Sequence, residues 1–204
     1  MKKKQLEMLL ERVEGFSSPS AEMEQYPTPA PLAAALLHLA YMRGELEQVV
    51  DLGCGTGVLA IGAALLGARA AGVEVDPRAL AVARRNASRL KVHVDFIRAD
   101  VGTLALKRVG TVVMNPPFGA QKASPGDRAF LRKAVQIADV IYSIHNAGSE
   151  EFIRKYIAPC TVEEVYRSQI PIKRCFSFHS REVREIEVEL YRISCHKGNQ
   201  SRGT

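Results

Sequence analysis

The chain has 204 residues, 47% hydrophobic and 25% charged, enough apolar material for one domain with a substantial core. No apolar run reaches the ~18 residues of a membrane-spanning helix, and Met1-Lys2-Lys3-Lys4 leads into Gln5-Leu6-Glu7 rather than a signal-peptide core, so a cytosolic protein is expected. A net charge of +6 favours a polyanionic partner, and Cys54, Cys160, Cys175 and Cys195 form no CxxC pair, so neither a metal site nor a disulfide framework is expected.

Leu6, Leu9, Leu10 and Val13 recur at helical spacing and predict a helix over residues 3–13, ended by Gly15. After a polar stretch, Thr28 is placed to cap a second helix, with Pro29 at the first position, running to about Met42. Residues 48–52 read as a strand, followed by Gly53-Cys54-Gly55-Thr56-Gly57 and an apolar helix stopped by Gly67. Residues 70–75 are the next strand, Asp76-Pro77 caps a helix to about Leu90, and residues 91–97 form a third strand ending near Asp100. A fourth apolar run, Thr111-Val112-Val113-Met114, leads to Asn115-Pro116-Pro117-Phe118. Residues 119–127 read as a mobile loop over the site. A helix over 127–138, a strand over 140–144 and a helix capped by Ser149 follow. Two strands, 161–172 and 183–194, close the chain, and residues 197–204 read as a loose tail. In the last strand Ile186, Val188 and Leu190 share one face, and Glu185, Glu187 and Glu189 the other.

Strands alternating with helices predict an α/β fold: a seven-stranded, mostly parallel sheet with an antiparallel C-terminal hairpin and helices on both faces. Residues 1–204 are expected to form a single domain, with residues 1–47 covering the ligand site. In such sheets ligands sit beyond the carboxyl ends of the strands, where strand order reverses. The glycine loop, Glu74, Asp100 and Asn115 all fall at such ends.

Two successive prolines cannot donate ladder hydrogen bonds, so the fourth strand must stop at a stiff corner. That corner offers the Asn115 amide, the Pro116 carbonyl and the Phe118 ring, a socket for a flat amine. Two acceptors at the N–H groups of a purine amine would favour its pyramidal form and free its lone pair, while the ring stacks on Phe118. A strand-ending proline turn with a buried Phe is the plainer reading of the same four residues. The glycines let the backbone turn tightly and approach a ligand. Their spacing departs from the GxGxxG of a nicotinamide site. Glu74, some twenty residues on, is placed to hold ribose hydroxyls, and Asp100 to accept from an adenine amine.

The run Val50-Asp51-Leu52-Gly53-Cys54-Gly55-Thr56-Gly57, then two acids and Asn-Pro-Pro-Phe, resembles the S-adenosylmethionine-dependent class I methyltransferases, in their amino-group methylating branch. With Gln25-Tyr26-Pro27-Thr28 and the final strands, nearly the whole chain resembles the archaeal and eukaryotic family that methylates adenosine N6 in small-subunit ribosomal RNA. The resemblance implies that Gln25, Thr28, Asp51, Gly53, Thr56, Gly57, Val58, Glu74, Asp100 and Val101 line the cofactor site. It implies that Asn115, Pro116, Pro117 and Phe118 form the catalytic corner, with no metal, and that a small zinc-binding activator protein is a possible partner. Lys2 to Lys4, Lys122, Arg128 and the basic-aromatic stretch Lys173 to Arg181 are candidate RNA contacts. Two alternatives remain: a protein glutamine methyltransferase, which shares an Asn-Pro-Pro corner but typically carries a larger N-terminal helical domain, and a non-catalytic RNA-binding protein.

Overall fold

The computed structural model describes residues 1–20, 23–117, 127–173 and 183–195. Its strands are β1 (Gln48–Leu52), β2 (Arg69–Glu74), β3 (Asp95–Arg98), β4 (Val109–Met114), β5 (Ala138–Asn146), β6 (Thr161–Lys173) and β7 (Val183–Ser194). The helices are α1 (Lys3–Leu10), α2 (Ala30–Met42), α3 (Val58–Leu65), α4 (Pro77–Leu90), α5 (Asp127–Ile137) and α6 (Glu150–Tyr156). One seven-stranded sheet runs in the order β3-β2-β1-β4-β5-β7-β6. β1 to β5 are parallel, and β7 lies antiparallel to both β5 and β6.

Successive residues of a strand point to opposite faces, and both faces are apolar because both are covered. Val113, Tyr142 and Ile144 join the core under α1, α2 and α3. Val112, Met114 and Ile141 join a second core under α5 and α6. Among the described residues no helix is long and apolar enough to cross a membrane.

Most expected elements appear within a few residues of their predicted limits, and the departures have local causes. β3 begins at Asp95 rather than residue 91, because Lys91 is spent as the left-handed C-cap of α4 at φ 56°. Helix α2 starts one residue later than expected, with Pro29 as its N-cap, so Thr28 lies outside the helix and does not cap it. Ser149 occupies the N-cap of α6 without a side-chain cap bond. The Gly148 N–H just before it donates instead to Glu189 Oε2 at 3.1 Å.

Glu189, on the strand face opposite Val188 and Leu190, is only 1% exposed despite its charge. β7 lies between β5 and β6, and α6 covers the face that carries Glu189, Tyr191 and Ile193. Its carboxylate is satisfied there by the Tyr191 hydroxyl and by Arg167 Nε at 3.2 Å. The cysteine expectation is also overturned: Cys160 and Cys195 form a disulfide 35 residues apart in sequence. The hairpin register explains it, since Thr161 pairs with Ser194 and so places the two flanking cysteines at one end of the hairpin. The mobile-loop assignment to 119–126, Lys122, most of the stretch from Lys173 to Arg181, and the tail lie outside the described residues.

The segment between α1 and α2 is tied to the sheet by a side chain with no motif value. Asn86 of α4 is fully buried. Its Nδ2 donates to the carbonyls of Glu14 and Thr56, both at 3.0 Å, and its Oδ1 accepts from the Glu14 N–H at 3.0 Å. Removing it strands the buried Thr56 carbonyl and frees both backbone groups of the exposed Glu14. Asn86→Ala is therefore expected to lower the unfolding free energy by about 2–4 kcal/mol, measured by urea titration; an unchanged midpoint would refute this accounting.

Candidate active site

The sheet register brings the two halves of the site together. Leu52, the last residue of β1, pairs with Val73 of β2 on one side and Met114 of β4 on the other. The next residues along, Gly53, Glu74 and Asn115, therefore lie side by side at the carboxyl edge, where strand order reverses.

The glycine turn is built from backbone bonds. The N–H groups of Gly53 and Cys54 both donate to the Val73 carbonyl at 2.9 Å. Gly53 and Gly55 have φ of +71° and +53°, which disfavours any side chain. Glu74 locks the turn in place: its Oε2 accepts from the Gly55 N–H, and its Oε1 from the N–H groups of Val75 and Asp76, all at 2.9 Å. Much of its hydrogen-bonding capacity is thus used in holding the loop. Gln25 is buried and equally committed, donating to Asp76 Oδ2 at 2.9 Å and accepting from the Ser20 N–H at 2.8 Å.

Asn115 donates from Nδ2 to Thr28 Oγ1 at 3.0 Å. That bond fixes the amide so that its Oδ1 is screened from solvent with no hydrogen-bond partner. Asp51 is in a similar state. Its Oδ2 accepts from the Ala60 N–H at 3.0 Å, while its buried Oδ1 has no partner. Burial pushes the Asp51 carboxyl up to about 8, the Ala60 N–H opposes the shift, and repulsion from Glu74 adds to it. A buried polar atom without a partner costs about 1–3 kcal/mol, so two at one site mark places where a ligand supplies donors.

Both residues open onto adjoining cavities that share Phe16, Tyr26, Gly53, Gly55 and Asn115 as walls. The larger, about 270 Å³, is lined also by Gln25, Glu74, Asp100, Val101, Pro117 and Phe130. The smaller is lined also by Thr28, Asp51, Thr56 and Val58. Nearly all the residues expected at a cofactor site therefore meet in one place. Asp100 is exposed and spends Oδ1 on the Gly102 N–H at 2.7 Å. Gly57 is not among the lining residues; its left-handed φ of +91° at the N-cap of α3 and the 3.1–3.3 Å approach of Ile61, Ala83 and Phe96 to an added Cβ account for the glycine. Pro116 is buried and is not a lining residue either, and Phe118 lies outside the described residues.

Two aromatic walls were not legible as site residues. A Cβ added to Gly53 would stand 2.7 Å from the Phe130 ring, and one added to Gly55 would stand 2.7 Å from the Phe16 ring. The rings therefore pack directly on the glycine turn, one from α5 and one from the segment before α2. Cys54 is a buried free thiol in the same turn, and burial pushes its pKa well up, which disqualifies it as a nucleophile. Among the described residues no cluster of His, Cys, Asp or Glu is arranged to hold a metal.

The donor set suits S-adenosylmethionine. Its amino acid end carries an ammonium for the unpaired Asp51 oxygen, and its body fits against glycines with no Cβ. Comparison with known proteins points the same way. Residues 32–138 match the family model of the methyltransferase small domain. An uncharacterised protein of Methanocaldococcus jannaschii is 40% identical over 95% of this chain and 94% of its own length. The Danio rerio rRNA N(6)-adenosine-methyltransferase METTL5 is 34% identical over 95% of this chain and 99% of its own. The crystal structure of a Pyrococcus horikoshii protein described as a candidate RNA methyltransferase superposes with a TM-score of 0.86 at 41% identity, covering 95% of this chain and 98% of that one.

The buried carboxyl has a signature in solution. In the folded protein Asp51 keeps its proton up to about pH 8, whereas its ordinary value is 3.8. Folding thus takes up a proton between those limits, and this residue's contribution to stability falls as pH rises from about 4 to about 8. Asp51→Asn is expected to remove that decline. The difference between wild-type and variant unfolding free energies, measured by urea titration at several pH values, should widen in the variant's favour as pH rises; a flat difference would show that Asp51 titrates normally.

Proposed function

We propose that this chain, which belongs to the methyltransferase small-domain family, transfers a methyl group from S-adenosylmethionine to the N6 amine of an adenosine in RNA, with small-subunit ribosomal RNA as the substrate. One observation carries the reading of the acceptor: Asn115 Oδ1 is buried, unpaired and fixed by Thr28, at the wall shared by the two cavities. Full-length similarity to the zebrafish rRNA N(6)-adenosine-methyltransferase supports the choice of amine and of RNA.

S-adenosylmethionine supplies, when bound, an electrophilic methyl on a sulfonium. Asp51 would face its ammonium, the glycine turn its backbone, and Glu74 and Gln25 the wall of the larger cavity. Asn115 Oδ1 accepts one N–H of the target amine, and the Pro116 carbonyl, although Pro116 lines neither cavity, is the second acceptor we propose on the sequence pattern. Together they favour the pyramidal nitrogen and aim its lone pair. Asn115 is neutral and takes no proton; the product amine releases its proton to water after transfer. The acceleration comes chiefly from positioning, for which about 7–11 kcal/mol is available in well-aligned systems. The target adenosine has to leave its stack to reach so narrow a socket.

In this reading residues 1–47 close over the cofactor within a single domain of residues 1–204, in the cytosol. A small zinc-binding activator is a further proposed partner, resting on family resemblance alone.

The test is transfer of labelled methyl from S-adenosylmethionine into small-subunit ribosomal RNA, followed by nucleoside analysis for N6-methyladenosine. Label appearing in protein, or in another nucleoside, would overturn the substrate assignment. Asn115→Ala is expected to slow single-turnover transfer by about 10²–10³ while cofactor affinity by calorimetry stays near the wild-type value. Full single-turnover activity in that variant would remove Asn115 from its role.

A further inference from the structure

The first turn of α5 faces two ways. Ala129 and Phe130 line the larger cavity beside Asn115 and Pro117. Arg128, one residue earlier, is exposed and lies over α6. Its guanidinium carbon stands 5.5 Å from the Tyr156 ring centroid and 6.0 Å from that of Phe152. The two rings are 4.7 Å apart and tilted by 42°.

Helix α6 has two adjacent stripes with different tasks. Ile153 and the C-cap residue Ile157, four apart, are buried in the core. Phe152 and Tyr156, also four apart, pack against that core while remaining half-exposed. The core is closed by the isoleucines, so the aromatic stripe leaves π surface at the protein boundary with a cation above it. Glu150, in the first turn of α6, pairs with Arg154 at 2.7 Å. Arg132 is exposed four residues along α5, about 6 Å further on the same face.

We propose that Arg128, Phe152 and Tyr156 form a stacking platform for the single-stranded RNA that flanks the target adenosine, next to the mouth of the transfer cavity. The proposal rests on reading the chain as an RNA methyltransferase and adds where the strand lies. A base offers a flat face to the rings, and a phosphate takes the fork of guanidinium donors. An adenosine drawn into the cavity past Ala129 and Phe130 leaves its neighbour within one side chain's reach of the platform. Arg132 then extends the track for the next phosphate.

The test uses the full chain and a fluorescently labelled single-stranded RNA oligonucleotide containing adenosine, titrated by anisotropy across a salt series. Tyr156→Leu keeps apolar packing and removes the stacking face; it is expected to weaken binding about five- to a hundredfold. Arg128→Gln removes the charge from an exposed position and is expected to weaken binding and reduce the log Kd against log salt slope by about one. In methyl transfer to the same RNA both variants are expected to raise KM for RNA without changing the affinity for S-adenosylmethionine. Arg128→Gln with wild-type Kd, KM and salt slope would overturn the platform, even if Tyr156→Leu fails to fold. Failure of the wild-type chain to bind the oligonucleotide would overturn it too. A wild-type chain that binds RNA through these residues but transfers no methyl would instead sink the enzymatic reading and leave the platform standing.

Discussion

The hydrogen bond from the Asn115 amide to the Thr28 hydroxyl decides what this site can do. It joins positions 87 residues apart and sets which end of the amide is already used. With the N–H end engaged, the oxygen end is left as a buried acceptor without a donor. A free amide would rotate and satisfy itself in water. Held at the stiff Asn-Pro-Pro corner and at the start of α2, it cannot, so its unsatisfied valence is available to a ligand donor.

Asn115 and Asp51 share the condition of an orphaned oxygen but not its chemistry. The neutral amide presents the same acceptor at every pH and suits an uncharged amine. The carboxyl beside the glycine turn changes its charge near pH 8, so a cationic ligand stabilises its ionised form and a neutral one does not. The two oxygens thus offer different acceptors to the smaller cavity that Asp51 and Asn115 both line. Glu74, placed by its spacing to hold ribose hydroxyls, also holds three backbone N–H groups, one of them that of Gly55 in the glycine turn. In the proposed positioning mechanism such anchoring would matter, because alignment is lost when the donor loop drifts.

The segment before α2 contributes more than a connection. Phe16 packs on Gly55, Gln25 reaches Asp76, and Asn86 holds Glu14 and the Thr56 carbonyl together. Across the cavity Phe130 packs on Gly53, with Arg128 directed to the outer aromatic pair. The glycine turn is therefore clasped by aromatic side chains carried by elements on both faces of the sheet.

The alternation of strands and helices, the glycine turn and the Asn-Pro-Pro corner were legible in the sequence because each follows from local sterics: side-chain period, positive φ, and missing N–H groups. Their convergence on one edge followed from the parallel topology. What the sequence could not allot was partnership. Thr28 reads as a helix cap but binds Asn115; Glu189 reads as one of three acids on a strand face but is buried beneath α6; Cys160 and Cys195 read as distant but meet across a hairpin end. Asn86, Phe16 and Phe130 carry no motif at all. Local sterics fix what a residue offers, but only the packed chain brings up the neighbour, dozens of residues away, that takes the offer or leaves it open, because hydrogen bonding and burial are settled through space rather than along the backbone.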